Sequence, residues 1–182
     1  MALEATYSRD RLPAHSVDLL TKRLRLTPMK LHHEQEFWEM RSDAEVMRYI
    51  PIEIATDREA HKQEFQKDIQ EGKRFKFGFA VEWIDQPGKC IGWSIARPTD
   101  DGTSIEIGYW IHRNAWGKGL ATELTQELVS YCEYEMGWPK EDLIATVTIG
   151  NQASRHVLEK SGFHITHEEE IGEKLCWNFK RA

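Results

Sequence analysis

The chain has 182 residues, 40% of them hydrophobic, and a formal net charge of −6 at pH 7. This length suits one domain with a sizeable core and is short for two. No apolar run approaches the roughly 20 residues that a membrane-spanning helix needs. The acidic balance argues against direct nucleic-acid binding through overall charge. We therefore expect no membrane or nucleic-acid partner, whereas a cationic partner such as an amine is compatible with the charge.

Three cysteines, Cys90, Cys132 and Cys176, are odd in number and far apart, and none has a paired metal-ligand spacing. They are typical of reduced, buried thiols in a cytoplasmic protein. The first ten residues show no basic-then-apolar signal pattern. We expect a cytoplasmic protein whose single domain spans residues 1–182, with residues 1–20 as an N-terminal surface arm.

The predicted elements alternate between strands and helices along the chain. In chain order, the pattern predicts a strand over 21–29, helices over 32–42, 43–49 and 57–70, strands over 75–84, 89–96 and 104–111, a helix over 117–136, a strand over 143–149, a helix over 151–160, and strands over 163–167 and 174–179. Thr56 is the expected N-cap of the third helix, with Glu59 completing a capping box. The acidic run 168–170 is expected to be a solvated turn. This order predicts a mixed α/β domain.

One stretch, residues 105–124, joins an apolar, β-rich run to a helical pattern through two glycines spaced by one residue. Gly117 and Gly119 lack a Cβ, so a phosphate could approach the backbone closely, and Ala121 keeps the following position small. Free backbone N–H groups and the positive end of the helix dipole converge at such a turn. The stretch therefore predicts a phosphate-bearing ligand.

Two segments resemble the GCN-related N-acetyltransferase (GNAT) superfamily. The first, Trp116-Gly117-Lys118-Gly119-Leu120-Ala121, is similar to the acetyl-CoA signature Gln/Arg-x-x-Gly-x-Gly/Ala, with Trp116 in place of Gln/Arg. The second, from Asn151 to Phe163, resembles the family's Asn-x-x-Ala/Ser…Glu-Lys-x-Gly-Phe segment. The resemblance covers about residues 21–180. It implies the GNAT acyl-CoA N-acyltransferase fold, in which helices flank a largely antiparallel central sheet with splayed strands.

Residues 21–26, the run 107–110 and the segment that begins at Trp116 are closest to the Rim-type branch, which includes enzymes that acetylate protein N-termini. The resemblance implies direct acetyl transfer from acetyl-CoA to a primary amine, without an acyl-enzyme. Dimers are common in this branch, and a monomer or a homodimer is expected. Many members act on other amines, so a protein N-terminus and a small-molecule amine both remain as acceptors.

The resemblance also implies where the cosubstrate binds. The pyrophosphate is expected on backbone amides of residues 117–122, and the pantetheine arm between the strand that ends near Ile111 and the strand over 143–149. Exposed basic residues beside a helix start oppose its dipole, which favours an anion near Arg113 and Lys118. Asn151 has the alternative role of capping its helix. The expected acetyl-CoA-binding residues are Ile111, Arg113, Trp116, Gly117, Lys118, Gly119, Leu120, Ala121, Thr122 and Asn151.

Two residues are candidates for the chemistry. Glu106 is a carboxylate in an otherwise apolar strand, and a glutamate on this strand often acts as the general base in the superfamily. The alternative is a solvated residue that faces outward. Ser154 is the candidate proton donor to the leaving thiolate, and a small residue that permits helix packing is the other interpretation. Many members carry a tyrosine where this chain has Leu158, which leaves the acid open.

Several polar and aromatic residues have weaker assignments. Tyr49 and Trp38 are candidates for the acceptor pocket, while core packing is favoured for Phe37. No metal site is expected, although His32 and His33 adjoin a helix start.

Two other functions compete with acetyl transfer. A catalytically weak acyl-CoA-binding sensor of the same fold is the alternative function, because the usual tyrosine is missing and the base is unproven. A dinucleotide-binding oxidoreductase is disfavoured, since Thr122 replaces the third glycine of that fingerprint and only about 60 residues follow it.

Overall fold

The computed structural model describes residues 18–72 and 74–182. Strands in this part of the chain are β1 (Leu19–Leu20), β2 (Leu24–Pro28), β3 (Gly78–Trp83), β4 (Cys90–Pro98), β5 (Ile105–Ile111), β6 (Leu143–Thr148), β7 (Phe163–Ile171) and β8 (Lys174–Arg181). They form one sheet in the order β1-β2-β3-β4-β5-β6-β8-β7. Neighbours are antiparallel except β5 and β6, which are parallel. The predicted mixed fold with a largely antiparallel sheet is confirmed.

Helices cover both faces of this sheet. The α-helices are α1 (Glu34–Ser42), α2 (Ala44–Met47), α3 (Arg58–Glu71), α4 (Leu120–Ser130) and α5 (Gln152–Lys160). A π-helical turn, Tyr131–Glu135, extends α4. None of the helices in the described ranges is both long and apolar enough to cross a membrane.

Two hydrophobic cores lie on opposite faces of the sheet because successive residues of a strand point in opposite directions. In β5, Ile105 and Ile107 join the larger core, which also contains the apolar stripe of α4 and Leu158 of α5. Trp110 points the other way and joins a smaller core with Phe37 and Phe65, from α1 and α3. Phe37 is 1% exposed, so core packing describes its position.

The parallel pair β5–β6 is short and then opens. Only Ile105 pairs with Leu143 and Glu106 with Ile144, whereas β5 continues to Ile111 and β6 to Thr148. Beyond these two positions, β5 remains paired with β4 and β6 with β8. The edges of β5 and β6 that face each other therefore separate and leave a gap, as the predicted splay requires.

Local contacts correct two boundary predictions. The carboxylate of Asp57, and not the hydroxyl of Thr56, caps α3, because Asp57 Oδ1 accepts a hydrogen bond from the N–H of Ala60 at 2.9 Å. The helix consequently begins one residue later than predicted. Helix α4 begins at Leu120 and not at residue 117, because Gly117 and Gly119 have φ angles of +73° and +72°, which are not helical.

The last hairpin and the chain start also differ from the predictions. Residues 168–170 belong to β7 and are not a turn, since the β7–β8 ladder extends to the pair Ile171–Lys174 and the reversal occurs at residues 172–173. Leu19 and Leu20 pair with β2, so the predicted arm does not include them. The rest of that arm, residues 1–17, lies outside the described residues.

All three cysteines are free and buried, as predicted from the sequence. Burial raises the pKa of the Cys90 and Cys132 thiols to about 12. These two thiols therefore remain protonated and unreactive near neutral pH.

A buried polar pair joins the chain before α1 to the sheet. His33 Nε2 lies 2.8 Å from Oε1 of Glu82 on β3, and both side chains are almost fully buried. The backbone N–H of Lys30 donates to His33 Nδ1 at 3.1 Å. Burial lowers the pKa of His33 below its ordinary value of 6.5, although the hydrogen bond with Glu82 opposes the shift. The unfolded chain then binds a proton at a pH where the folded chain does not, so acidification destabilises the fold.

Replacing His33 with Gln is expected to make the stability less dependent on pH, because Gln keeps a donor toward Glu82 but does not titrate. One histidine contributes at most about 1.4 kcal/mol per pH unit to the slope between about pH 7 and about pH 5. Urea unfolding across this range measures the effect. His156→Gln, at an exposed position of α5, should retain the wild-type slope, and an equally steep slope in the His33 variant would contradict the assignment.

Candidate active site

A cavity of about 560 Å³ opens where β5 ends, between the start of α4, the start of α5 and the segment around α2. Nine of the predicted site residues line it: Ile111, Trp116, Gly117, Gly119, Leu120, Ala121, Thr122, Asn151 and Ser154. Glu106, Arg113 and Lys118 are not among the lining residues. The structure thus gathers the glycine turn and the α5 segment, which are distant in sequence, around one space.

The glycine turn has the geometry of an anion-binding site. Gly117 and Gly119 both adopt the left-handed conformation that favours glycine. A Cβ at Gly117 would meet no atom within 4 Å, so the turn presents open space on that side. Gly119 is the N-cap residue of α4, and no side chain caps the helix there. The first N–H groups of α4 therefore lack a side-chain capping acceptor, and residues 119–122 line the cavity at the positive end of the helix dipole.

An ion pair that the sequence patterns did not reveal holds this turn. Arg23 donates from Nη1 to the carbonyl of Lys118 at 2.8 Å and from Nε to Oε2 of Glu123 at 2.7 Å. Glu123 Oε1 also accepts from the hydroxyl of Thr21 at 2.6 Å and from the Arg23 N–H at 2.8 Å. Burial alone would raise the pKa of Glu123, but these hydrogen bonds outweigh it and lower the pKa. The corner between β1 and β2 is thereby fastened to the first turn of α4.

The remaining basic and aromatic residues of the turn lie at its rim. Trp116 donates from Nε1 to the carbonyl of Ile111 at 2.7 Å, and its side chain is partly exposed. Lys118 donates from Nζ to the carbonyl of Asn114 at 3.0 Å. Nε of Arg113 lies 3.4 Å from Oδ2 of Asp43, and the Arg113 side chain is largely exposed. Phosphate contact by Arg113 or Lys118 stays a prediction.

Hydroxyl groups from two elements meet inside the cavity. Asn151 Oδ1 accepts from the N–H of Ser154 at 3.1 Å, so the capping role of Asn151 is present. Ser154 Oγ lies 3.4 Å from the hydroxyl of Tyr109 on β5. Burial raises the pKa of Tyr109 to about 12. Leu158, which replaces the tyrosine of many superfamily members, is 3% exposed and belongs to the core.

Glu106 lies on β5 but away from these hydroxyls. Its Oε2 accepts from Arg97 Nε at 2.8 Å and Nη2 at 2.6 Å, across the β4–β5 ladder. Glu106 faces the same side of the strand as Trp110, four residues further on, which corresponds to about 13 Å at the rise of an extended strand. Its role as the base stays a prediction, and the structure adds Arg97 as its ion-pair partner.

The opposite wall of the cavity comes from α2 and the residues after it. Its lining residues are Glu45, Val46, Arg48, Tyr49 and Ile50. Lys174 Nζ donates to the carbonyls of Arg48 and Ile50 at 3.1 and 2.8 Å, and Thr148 Oγ1 donates to the carbonyl of Tyr49 at 2.7 Å. These bonds fix the wall to β6 and β8. The cavity lining includes Tyr49 but not Trp38, which packs against His61 and Arg58, and the place of Tyr49 in an acceptor pocket stays a prediction.

Three side chains outside the cavity have ligand atoms close enough for a metal ion: His32, His33 and Glu82. The protonation pattern of His33 opposes such a site. Because the Lys30 N–H donates to Nδ1, the proton of the neutral ring is on Nε2, where it is directed at Glu82. A metal bound at Nε2 would require a lone pair there and would break the contact with Lys30.

The separated strands, the uncapped glycine turn and the cavity at the end of β5 correspond to the class of fold that the sequence resemblance implies, that of acyl-CoA N-acyltransferases. Residues 23–164 match the family described as acetyltransferase (GNAT) domain. The chain therefore belongs to the GNAT family.

Relatives agree with this family. An uncharacterized N-acetyltransferase of Bacillus licheniformis is 33% identical over 116 residues, which are 62% of this chain and 64% of that protein. The FsC-acetyl coenzyme A-N(2)-transacetylase of Aspergillus fumigatus is 30% identical over 166 residues, which are 86% of this chain and 68% of that protein. The chain thus spans less than two thirds of the length of the Bacillus relative.

Solved structures agree with the fold. An acetyltransferase of the GNAT family from Bacillus anthracis has a TM-score of 0.76 at 23% identity and covers 90% of this chain and 96% of its own. The RimL ribosomal-protein acetyltransferase in complex with coenzyme A has a TM-score of 0.70 at 14% identity. The match covers 91% of this chain and 97% of the RimL chain. These structures share the fold that the sequence resemblance implies.

Proposed function

We propose that this protein is an N-acetyltransferase that transfers the acetyl group of acetyl-CoA to a primary amine by direct attack, without an acyl-enzyme. One observation carries the proposal: the open glycine turn at the start of α4 lines the same cavity as the end of β5, beyond the point where β5 stops pairing with β6. A phosphate site beside exposed strand edges suits a ligand with a diphosphate and a long amide-containing arm. Membership in the GNAT family supports the same reaction.

The residues present fit acetyl-CoA. Gly117 leaves room for a phosphate where a side chain would otherwise stand, and the first amides of α4 supply donors. Arg113 and Lys118 add positive charge at the rim. The free edges of β5 and β6 offer backbone groups to the pantetheine amides, and Asn151 lies beside them. Acetyl-CoA would supply the activated acetyl group, while the chain binds and orients it.

The chemistry has three demands. The attacking amine must be neutral, because an ammonium has no lone pair, and Glu106 is the proposed base. Glu106 would act directly or through water. A backbone N–H near residues 109–111 would polarise the thioester carbonyl. Ser154, which lines the cavity, is the proposed donor toward the thiolate.

The acceptor amine is proposed to bind against the wall formed by α2 and the segment that follows it. Val46, Tyr49 and Ile50 make this wall largely apolar, while Glu45 and Arg48 place one charge of each sign beside it. The names of the relatives point to different acceptors, an FsC compound and a ribosomal protein. The acceptor is therefore proposed only as a primary amine, on a peptide N-terminus or a small molecule. Cytoplasmic location and the monomeric or dimeric state stay predictions.

Release of the CoA thiol tests the reaction. The purified protein is incubated with acetyl-CoA and, separately, N-terminal peptides, polyamines, amino sugars and amino acids. We expect release above the acceptor-free background with at least one class of amine. No release with any acceptor, together with no thermal shift by acetyl-CoA, would contradict the proposal. A thermal shift without release would instead favour the sensor.

Glu106→Gln separates the enzyme from the sensor. If Glu106 is the base, turnover falls by about 10²-fold or more while acetyl-CoA affinity is retained. Arg97→Gln is the matched control, because it removes the ion-pair partner but keeps the carboxylate. Equal losses of turnover and stability in both variants would show that Glu106 is structural. Ser154→Ala is measured alongside, and a wild type whose turnover depends on either residue is not a sensor.

Gly119→Glu is expected to abolish acetyl-CoA binding, because it adds a side chain and a negative charge where the pyrophosphate is placed. Isothermal titration with acetyl-CoA measures the loss. Gly172→Glu is the control, since Gly172 also has a positive φ, of +62°, and open space around it but lies at the β7–β8 turn. Both variants carry similar backbone strain, so unchanged affinity in Gly119→Glu would refute the phosphate position.

A further inference from the structure

Tyr109 is a largely buried phenol beside Ser154. It extends from β5 into the cavity, two residues before the strand ends at Ile111. Its hydroxyl donates to Ser154 Oγ at 3.4 Å, and Ser154 is the one hydrogen-bond partner of this hydroxyl among the described residues. The hydroxyl thus lies between the strand that borders the gap and the helix whose usual tyrosine is replaced by Leu158.

We propose that Tyr109 is a catalytic residue whose hydroxyl, together with that of Ser154, donates a hydrogen bond to the sulfur atom that leaves when the thioester breaks. This inference rests on the proposed acetyl transfer. Two donors whose oxygens are 3.4 Å apart can converge on one sulfur atom, each from its own side. The phenol supplied by α5 in many family members would then come from β5 in this chain.

The bond changes balance without another reagent. The neutral amine nitrogen attacks the carbonyl carbon and forms the C–N bond. The C–S bond then breaks, and its electron pair leaves on sulfur as a thiolate, which the two hydroxyls stabilise. The nitrogen loses a proton as the amide forms, and one proton finally resides on sulfur. The products are the acetylated amine and CoA.

The protonation state of Tyr109 suits a donor. Because burial raises its pKa to about 12, the phenol keeps its proton at neutral pH. A thiol has a pKa of about 8.5, so the phenol stabilises the thiolate by a hydrogen bond and does not transfer its proton completely. The hydrogen that Tyr109 directs at Ser154 can rotate about the C–O bond and turn toward the sulfur as the thiolate develops. The charged side chains that line the cavity, Glu45 and Arg48, come from the opposite wall.

The pKa of the CoA thiol in its complex with the protein tests this role without any acceptor. It is measured from the pH dependence of thiolate absorbance or of alkylation by iodoacetamide, using CoA itself. In Tyr109→Phe, the pKa of the bound CoA thiol should be about one unit higher than in wild type. The thiolate fraction near neutral pH would then be about tenfold smaller. Tyr49→Phe is the control, because Tyr49 is the other phenol lining the cavity, and it should leave the thiol pKa unchanged.

Kinetics provide the second readout. Tyr109→Phe should lower kcat by about 10²-fold with little change in KM for acetyl-CoA, because the lost hydrogen bond forms only as the thiolate develops. Tyr109→Phe combined with Ser154→Ala should lose little more than either change alone if both hydroxyls act on one sulfur as a unit. Phe keeps the ring, so circular dichroism and the Tm should match the wild type.

The outcomes separate the inference from the reaction on which it rests. A bound thiol whose pKa is the same in wild type and Tyr109→Phe overturns the role of Tyr109, even if turnover of amines is found. A thiol pKa that depends on Tyr109, in a protein that acetylates no amine, supports the donor and refutes the transferase. Failure of wild type to bind CoA refutes both.

Discussion

The separation of two parallel strands is the constraint on which the site depends. β5 and β6 share only two paired positions and then diverge, each kept in place by its antiparallel neighbour on the far side. Unpaired backbone groups inside a sheet are costly unless a ligand or water satisfies them. The fold therefore maintains a slot with unused donors and acceptors at its centre, and α4 and α5 begin on either side of that slot.

The turn at the start of α4 is held from a distance. Arg23 and Glu123 are 100 positions apart in the chain, yet their contact joins the β1–β2 corner to the helix and restrains the carbonyl of Lys118. Glycine is needed at the turn for its backbone conformation, but glycine itself gives no rigidity. The ion pair restrains the backbone of the turn, which the two glycines alone would leave free to change conformation.

Periodicity and turn chemistry predicted the parts of the fold that depend on neighbouring residues: the meander, α4 and α5, and the glycine turn before α4. They failed where two local signals compete or where a contact is distant. Thr56 and Asp57 are adjacent capping residues, and only the geometry selects Asp57. The three glutamates at 168–170 have low strand propensity, but pairing with β8 overrides it. The contacts of Arg23 and Tyr109 join separate elements, so no local pattern contains them.

The two walls of the cavity are anchored in different ways. The wall proposed to bind acetyl-CoA is made of strand ends and helix starts next to the main core. The wall around Tyr49 is instead held to the sheet by the side chains of Lys174 and Thr148, which donate to main-chain carbonyls. Hydrogen bonds to main-chain carbonyl groups do not depend on which side chains the wall carries. Substitutions at Val46, Arg48 or Ile50 therefore leave that scaffold intact, and acceptor preference can diverge in evolution while the machinery for acyl transfer is inherited unchanged.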